Sequence, residues 1–223
     1  MNISKSYEFF QPEKVKEKIH IIGCGAVGST LAENLVRYGL TNIVLYDFDH
    51  VCDHNIANQL YTQKDIGRLK VDALADHLLQ INEELVNTLK LCDTGYTNQR
   101  LSGYVFLCVD SIDLRRKIAT ENKYNNKIRA MFDFRMGLTD GQHYAADWSV
   151  KNHVDDFINS MAFTQEEADK STPVSACNLV LSVNSTVRIL VASGVANFVN
   201  FAKDGRLKKL ILVDAFNFML DAV

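Results

Sequence analysis

The run Gly23-Cys24-Gly25-Ala26-Val27-Gly28 constrains this chain more than any other feature. It follows the short apolar run Ile19 to Ile22 and precedes apolar residues at Val27, Leu31, Leu35 and Val36, whose spacing is helical. That stretch closes at Tyr38-Gly39, and a second apolar run, Ile43 to Tyr46, ends at Asp47. The order is strand, tight glycine turn, helix, strand; such crossovers are right-handed and leave the two strands parallel. The first glycine permits the turn, the second lets an anion approach the backbone, and the third lets helix and sheet pack closely. Free N–H groups at the helix start then face the anion.

The alternation continues along the chain. Val71, Leu74, Leu78 and Leu79 mark one face of a helix ending near Asn82. Val86 to Leu91 reads as a strand interrupted by polar residues, and Tyr104 to Val109 as a continuous, buried one. Ile112 to Tyr124 predicts a helix with Arg115, Arg116 and Lys117 exposed. Further strands are expected at Ile128 to Phe134, Gln142 to Trp148 and Leu210 to Phe216. The polar stretch from Lys151 to Ser175 predicts a crossover or flap, followed by a long apolar helix reaching about Ala202. The fold class is therefore α/β: a Rossmann-like three-layer domain with a mostly parallel sheet, and a polar crossover before a long C-terminal helix. Residues 1–223 are expected to form one nucleotide-binding domain, with the flap at about 151–175. The segment Leu179 to Val199, with Ser182, Ser185, Ala192, Ser193 and Gly194 allowing close approach, can pack in the core or at a two-fold interface.

Composition removes several function classes. Lys and Arg number 24 against 27 Asp and Glu, a net charge of −3, so no global field attracts nucleic acid. The cysteines at 24, 52, 92, 108 and 177 are odd in number and include no C-x-x-C, which disfavours a disulfide scaffold or a four-cysteine zinc site. The first 20 residues have no apolar run before their charges, unlike a signal peptide. Asn178, Asn184, Arg188 and Asn197 interrupt the longest apolar region and argue against a membrane span. A soluble, cytoplasmic protein is expected. His50 and His54 flank Asp53 on a predicted loop, which does not present both rings to one metal.

Asp47 lies 19 residues beyond Gly28, at the end of the second strand, where a carboxylate can accept both hydroxyls of a ribose. Gly23, Gly25, Gly28 and Asp47 together indicate an adenine-nucleotide site without separating NAD from ATP. The segment that follows, Asp47-Phe48-Asp49-His50-Val51-Cys52-Asp53-His54-Asn55-Ile56-Ala57-Asn58-Gln59-Leu60, resembles the ThiF/MoeB/HesA family, whose members look like ubiquitin-activating enzymes. That family has D-x-D, then N-x-x-R-Q, then G-x-x-K. The counterparts here are Asp47 and Asp49, then Asn55 with Gln59, then Gly67 with Lys70. Asp110, after the strand Tyr104 to Val109, and Arg115 five residues on extend the match.

The resemblance implies binding of ATP and Mg²⁺ and adenylation of the C-terminal carboxylate of a small ubiquitin-like or sulfur-carrier-like protein, with release of pyrophosphate. By the same resemblance Asp47 holds the ribose, Asn55 and Lys70 contact phosphates, and Asp110 coordinates Mg²⁺. Asp49, Asn58 and Gln59 belong to the same nucleotide-binding set, and the protein is expected to be a homodimer. The chemistry suits these residue types. Joining a carboxylate to the α-phosphate gathers negative charge, which a lysine, backbone donors and a metal neutralise. No general base is needed, because the attacking carboxylate is already ionised.

Two departures open other readings. The family's R-Q pair is Asn58-Gln59 here, which loses a guanidinium, and no arginine precedes Arg37. Only Lys5, Lys14, Lys16 and Lys18 can stand in for the family's N-terminal arginine, and Arg68 is a candidate to compensate for Asn58. A nucleotide-binding pseudoenzyme acting as a binding module, and an NAD-dependent oxidoreductase, are the alternatives. Cys177 follows the polar stretch and precedes the long helix, where it is either an acyl-accepting thiolate at a helix start or a buried structural thiol.

Overall fold

The computed structural model describes residues 1–175 and 180–223. Its strands are β1 (Ile19–Ile22), β2 (Ile43–Tyr46), β3 (Lys90–Cys92), β4 (Gly103–Leu107), β5 (Ile128–Met136), β6 (Asp140–Asp147), β7 (Leu210–Asp214) and β8 (Met219–Ala222). They form one sheet in the order β3-β2-β1-β4-β5-β6-β7-β8. The members β3, β2, β1, β4 and β5 are parallel, with Ile19 of β1 in register with Ile43 of β2 and Tyr104 of β4. β6, β7 and β8 extend the sheet beyond β5 by antiparallel pairing, with helices intervening in the chain between β6 and β7. Every residue of β1, β2 and β4 is buried, as continuous apolar strands are when helices cover both faces. In β7, Ile211 and Val213 are buried while Leu212 is exposed, the alternation of a sheet margin.

The helices are α1 (Ala26–Arg37), α2 (Lys70–Ile81), α3 (Ile112–Glu121), α4 (Lys151–Asn159), α5 (Gln165–Ser171) and α6 (Asn184–Asp204). α1, α2 and α6 cover one face, through Leu31, Leu35, Leu74, Leu78, Leu190 and Phe198. α3 and α4 cover the other, through Ile112, Ile118, Val154 and Phe157. This is the three-layer arrangement expected. On the first face Phe106 and Phe132 stack with centroids 4.7 Å apart, and Phe198 of α6 meets them edge-on at 5.4 and 5.7 Å. Such aromatic pairs add to the burial term. By length and composition alone α6 is able to cross a membrane. Here its Val187, Leu190, Val191, Val195 and Phe198 are core residues.

The parallel strands expected around 18–22, 43–47, 104–109 and 128–134 are present. Four details differ. Val86 lies in a short 3-10 turn, Glu83–Asn87, and the strand begins only at Lys90; Asn82 caps that turn by accepting from the Glu84 N–H. The long helix starts at Asn184, not directly after position 177. The late strand stops at Asp214, whose carboxylate accepts N–H bonds from Phe216 and Asn217 in a turn. β8 had no sequence signature, because Met219–Ala222 is neither alternating nor continuously apolar.

Candidate functional site

In an open sheet of this kind, the chain order reverses between β1 and β4, and ligands bind in the crevice at the carboxyl ends of those strands. The glycine turn leaves β1 there. Gly23 has φ of +96°, and a Cβ on it would stand 2.7 Å from the Cys108 carbonyl oxygen just beyond β4. A Cβ on Gly28 would lie 1.8 Å from the Gly23 oxygen. Packing therefore demands glycine at both. Gly25, which caps α1, faces open space, with no atom within 4 Å of a Cβ built on it. That open flank leaves the α1 N-terminus accessible, the kind of place that suits an anion.

Asp47 closes against the same turn. Its Oδ2 accepts from the Cys24 N–H at 2.6 Å and its Oδ1 from the Asp49 N–H at 2.9 Å. Burial raises its pKa, while those two N–H bonds and nearby Lys70 pull the other way. Lys70 is the first residue of α2 and is itself buried. Its Nζ donates to the exposed carboxylate of Asp49 at 2.8 Å, and its backbone N–H donates to the Asp49 carbonyl at 2.9 Å. Cys24 of the turn, Asp47, Asp49 and Lys70, which come from separate stretches of the chain, thus belong to one hydrogen-bonded group. The stem of Lys70 is buried, and its ammonium head ends against the exposed Asp49 carboxylate.

The Asn55–Gln59 segment lies against α1, where the Leu60 N–H donates to Ser29 Oγ at 3.4 Å. Asn55 Oδ1 accepts from the Cys52 N–H at 2.9 Å, so the side-chain oxygen shapes the turn and the amide nitrogen is the group able to donate to a ligand. The Asn58 and Gln59 N–H groups donate to the Asn55 carbonyl at 3.3 and 2.9 Å. Gln59 Oε1 is buried without a partner among the described residues, an acceptor of the kind that calls for a donor. Arg68 does not replace the missing guanidinium of position 58. It is engaged by Asp65 at 3.1 Å and Asp76 at 2.6 Å, both on its own side of the chain.

Asp110 is exposed in the bend after β4. The two residues before it, Cys108 and Val109, abut Gly23, which brings the Asp110 loop to the turn. Arg115, expected on a solvated face, is buried. It donates from Nε to the Val109 carbonyl at 2.7 Å and from Nη1 to the Phe134 carbonyl at 2.6 Å and Asp133 Oδ1 at 2.7 Å; Nη2 also reaches the Val109 carbonyl. The cause is Asp133, a carboxylate buried in β5 that needs charge partners; Arg135 supplies the second at 2.6 Å. Helical spacing alone does not reveal such a partner on another element.

Tyr61 went unnoticed in the sequence. It is buried, and its hydroxyl donates to the Cys24 carbonyl at 2.6 Å, with the Lys70 carbonyl 3.3 Å away. The only available signal was a hydroxyl-bearing aromatic between the Asn55–Gln59 segment and α2. Cys24 is buried and Cys108 half-buried, and burial raises both thiol pKa values, so neither is a poised thiolate. Cys177 lies outside the described residues.

A protein-family model described as the ThiF family matches residues 8–201. Ubiquitin-like modifier-activating enzyme 5 of Drosophila mojavensis is 28% identical, over 91% of this chain and 54% of its own length. The Bombyx mori protein of the same name is 33% identical, over 48% of this chain and 32% of its own. The chain spans about half the length of the first of these relatives and a third of the second. Among solved structures, E. coli MccB with ATP superposes with a TM-score of 0.72 at 15% identity, covering 95% of this chain and 65% of that one. Microcin C7 biosynthetic enzyme MccB in complex with N-formylated MccA gives 0.69 at 14% identity, covering 95% and 66%. At these identities the structures establish a shared fold.

Proposed function

The chain belongs to the ThiF family, and from that premise we propose that it is an ATP-dependent adenylyltransferase acting on the C-terminal carboxylate of a small protein or peptide. The observation that carries this reading is the hydrogen-bonded chain from Cys24 in the glycine turn through Asp47 and Asp49 to Lys70, beside the open flank at Gly25. The relatives named as ubiquitin-like modifier-activating enzymes and the MccB structures titled with ATP and with MccA support the substrate classes. In the finer form of the proposal, the acceptor is a ubiquitin-like or sulfur-carrier-like protein and the enzyme a homodimer.

In the reaction a substrate carboxylate oxygen attacks the α-phosphorus of ATP; a new C–O–P linkage forms and the bond to pyrophosphate breaks, giving an acyl adenylate. Asp47 holds the ribose hydroxyls with the lone pairs left by its two N–H contacts. The Gly25 N–H and Lys70 carry the charge of the phosphates, Lys70 sharing its three donors between Asp49 and the ligand. Asn55 adds an uncharged donor. Positioning and charge stabilisation do the work, since no proton is transferred at the attacking oxygen.

Asp110 fits a magnesium site: it is exposed, beside the turn, and offers hard oxygen to an ion that keeps most of its waters. When bound, Mg²⁺ supplies further neutralisation of phosphate charge. ATP–pyrophosphate exchange with a candidate carrier protein tests the proposal. Wild type should exchange, and Lys70→Ala and Asp110→Ala should each lose about 100-fold or more, the usual scale for one preorganised stabilising group. ATP binding without exchange would favour the binding-module reading, for which Asn58 in place of arginine is the specific argument. Preference for NAD in the same titrations would overturn the assignment.

A further inference from the structure

We propose that Tyr61 is a positioning residue for the phosphate-binding turn: its hydroxyl fixes the Cys24–Gly25 peptide so that the Gly25 N–H faces the open flank. This deepens the adenylation reading and rests on it for the identity of the ligand. The geometry is as follows from Cys24, which is held at both ends. Its N–H donates to Asp47 at 2.6 Å and its carbonyl accepts from the Tyr61 hydroxyl at 2.6 Å. In a trans peptide the C=O and the next N–H point in opposite directions. Anchoring the Cys24 carbonyl on buried Tyr61 therefore turns the Gly25 N–H the other way. On Gly25 a Cβ would meet nothing within 4 Å, and among the described residues none accepts from its N–H.

Among the described residues, the C=O and N–H of the Cys24–Gly25 peptide make no other hydrogen bond. A flip needs only the torsions either side of the peptide, one of which belongs to a glycine that accepts either sign of φ. The flipped form would aim a carbonyl oxygen, not a donor, at the phosphate. The Tyr61 hydroxyl keeps its proton at neutral pH on its ordinary pKa, and burial raises that pKa further. It has one proton to give, and the nearer acceptor is the Cys24 carbonyl; the Lys70 carbonyl at 3.3 Å sets the position of the ring against the start of α2. One side chain thereby registers the turn against the helix that carries Lys70.

Tyr61→Phe removes the proton and keeps the ring. Calorimetry on the full chain, using ATP, inorganic triphosphate and adenosine as separate probes, should show ATP and triphosphate binding weakened about tenfold, with adenosine within about twofold of wild type. In ¹⁵N–¹H spectra of the ligand-free protein the Gly25 amide should shift or broaden in the variant, while the Cys24 amide, still held by Asp47, stays in place. Equal losses for adenosine and triphosphate with a lower melting temperature would make Tyr61 a packing residue and overturn the proposal. An unmoved Gly25 resonance would do the same. If wild type binds neither ATP nor triphosphate, the adenylation reading falls, and the Gly25 resonance still decides whether Tyr61 orients the peptide.

Discussion

At the scale of single residues, the glycine turn separates two demands that sequence writes with the same letter. Gly28 is required by packing and Gly25 by access, since a Cβ meets the Gly23 oxygen at 1.8 Å in the first case and empty space in the second. Gly28→Ala should therefore destabilise the protein by about 2–4 kcal/mol, the range of overpacking and strained-backbone substitutions. Gly25→Ala should leave the unfolding free energy within about 1 kcal/mol of wild type while weakening ATP binding. Urea titrations and calorimetry on the two variants check this, and equal destabilisation would refute the distinction. Arg115 teaches a complementary lesson. A charged residue in the first turn of a helix is normally solvated, and here it is drawn inside by a carboxylate 18 residues away on β5.

At the scale of elements, the polar stretch from Lys151 onward is structured and docked. α4 and α5 are short, and the residues between them are fastened by side chains from two other elements. Arg116 Nη1 donates to the Met161 and Phe163 carbonyls at 3.0 and 2.9 Å. Gln165 Oε1 accepts from the Ile112 N–H at 2.8 Å, and Arg135 donates to the Ser160 carbonyl at 2.7 Å. The N-terminus of α3, just after Asp110, is thus the mooring point of the flap. Arg116 is partly exposed and carries no buried charge partner, so its removal is tolerable. Arg116→Ala should raise hydrogen exchange across 160–171 by at least about fivefold, the loss expected for one or two charge-assisted bonds. Exchange in β1 and β4 should not change. Unaltered protection in the flap would show that its own helices hold it.

At the scale of the whole molecule, two histidines sit in the sheet beneath opposite helical layers. His20 of β1 shares a hydrogen bond of 2.8 Å with the Tyr46 hydroxyl, and its Nε2 accepts from the Ser102 N–H. His143 of β6 packs between Phe132 and Phe134 and meets Asn197 at 3.2 Å. Burial depresses both pKa values to about 4, whereas an unfolded histidine titrates near 6.5. The unfolded state therefore takes up protons first. The stability that the neutral rings contribute is fully present above about pH 6.5 and is lost as pH falls toward about 4. Between pH 7.5 and 5 the loss should be about 2–4 kcal/mol for the pair, offset in part by Asp47, whose raised pKa works in the opposite sense. Urea midpoints across that range measure it; a flat profile would mean the rings are hydrated or protonated in the native state.

Sequence by itself determined the elements whose period and punctuation are local. β1, the glycine turn, α1 and β2 follow from an apolar run, two sterically compelled glycines and helical spacing, each a short-range property of the chain. Asp47 was a candidate from its spacing to the turn, and Asp49 and Lys70 were candidates through the resemblance to the ThiF/MoeB/HesA family. Structure alone decided which polar partner each of the remaining groups would take. The turn after Asn82 displaced a strand to Lys90; Arg115 was buried by Asp133; Arg68 was claimed by Asp65 and Asp76; and Tyr61 found the Cys24 carbonyl 37 residues earlier. For Arg115 and Tyr61 a hydrogen bond or ion pair in a place of low water access outweighed local propensity; for Arg68 and the turn after Asn82, nearby polar groups did. Periodicity reports which face of a segment is apolar, but not which polar group on another segment will be brought against it.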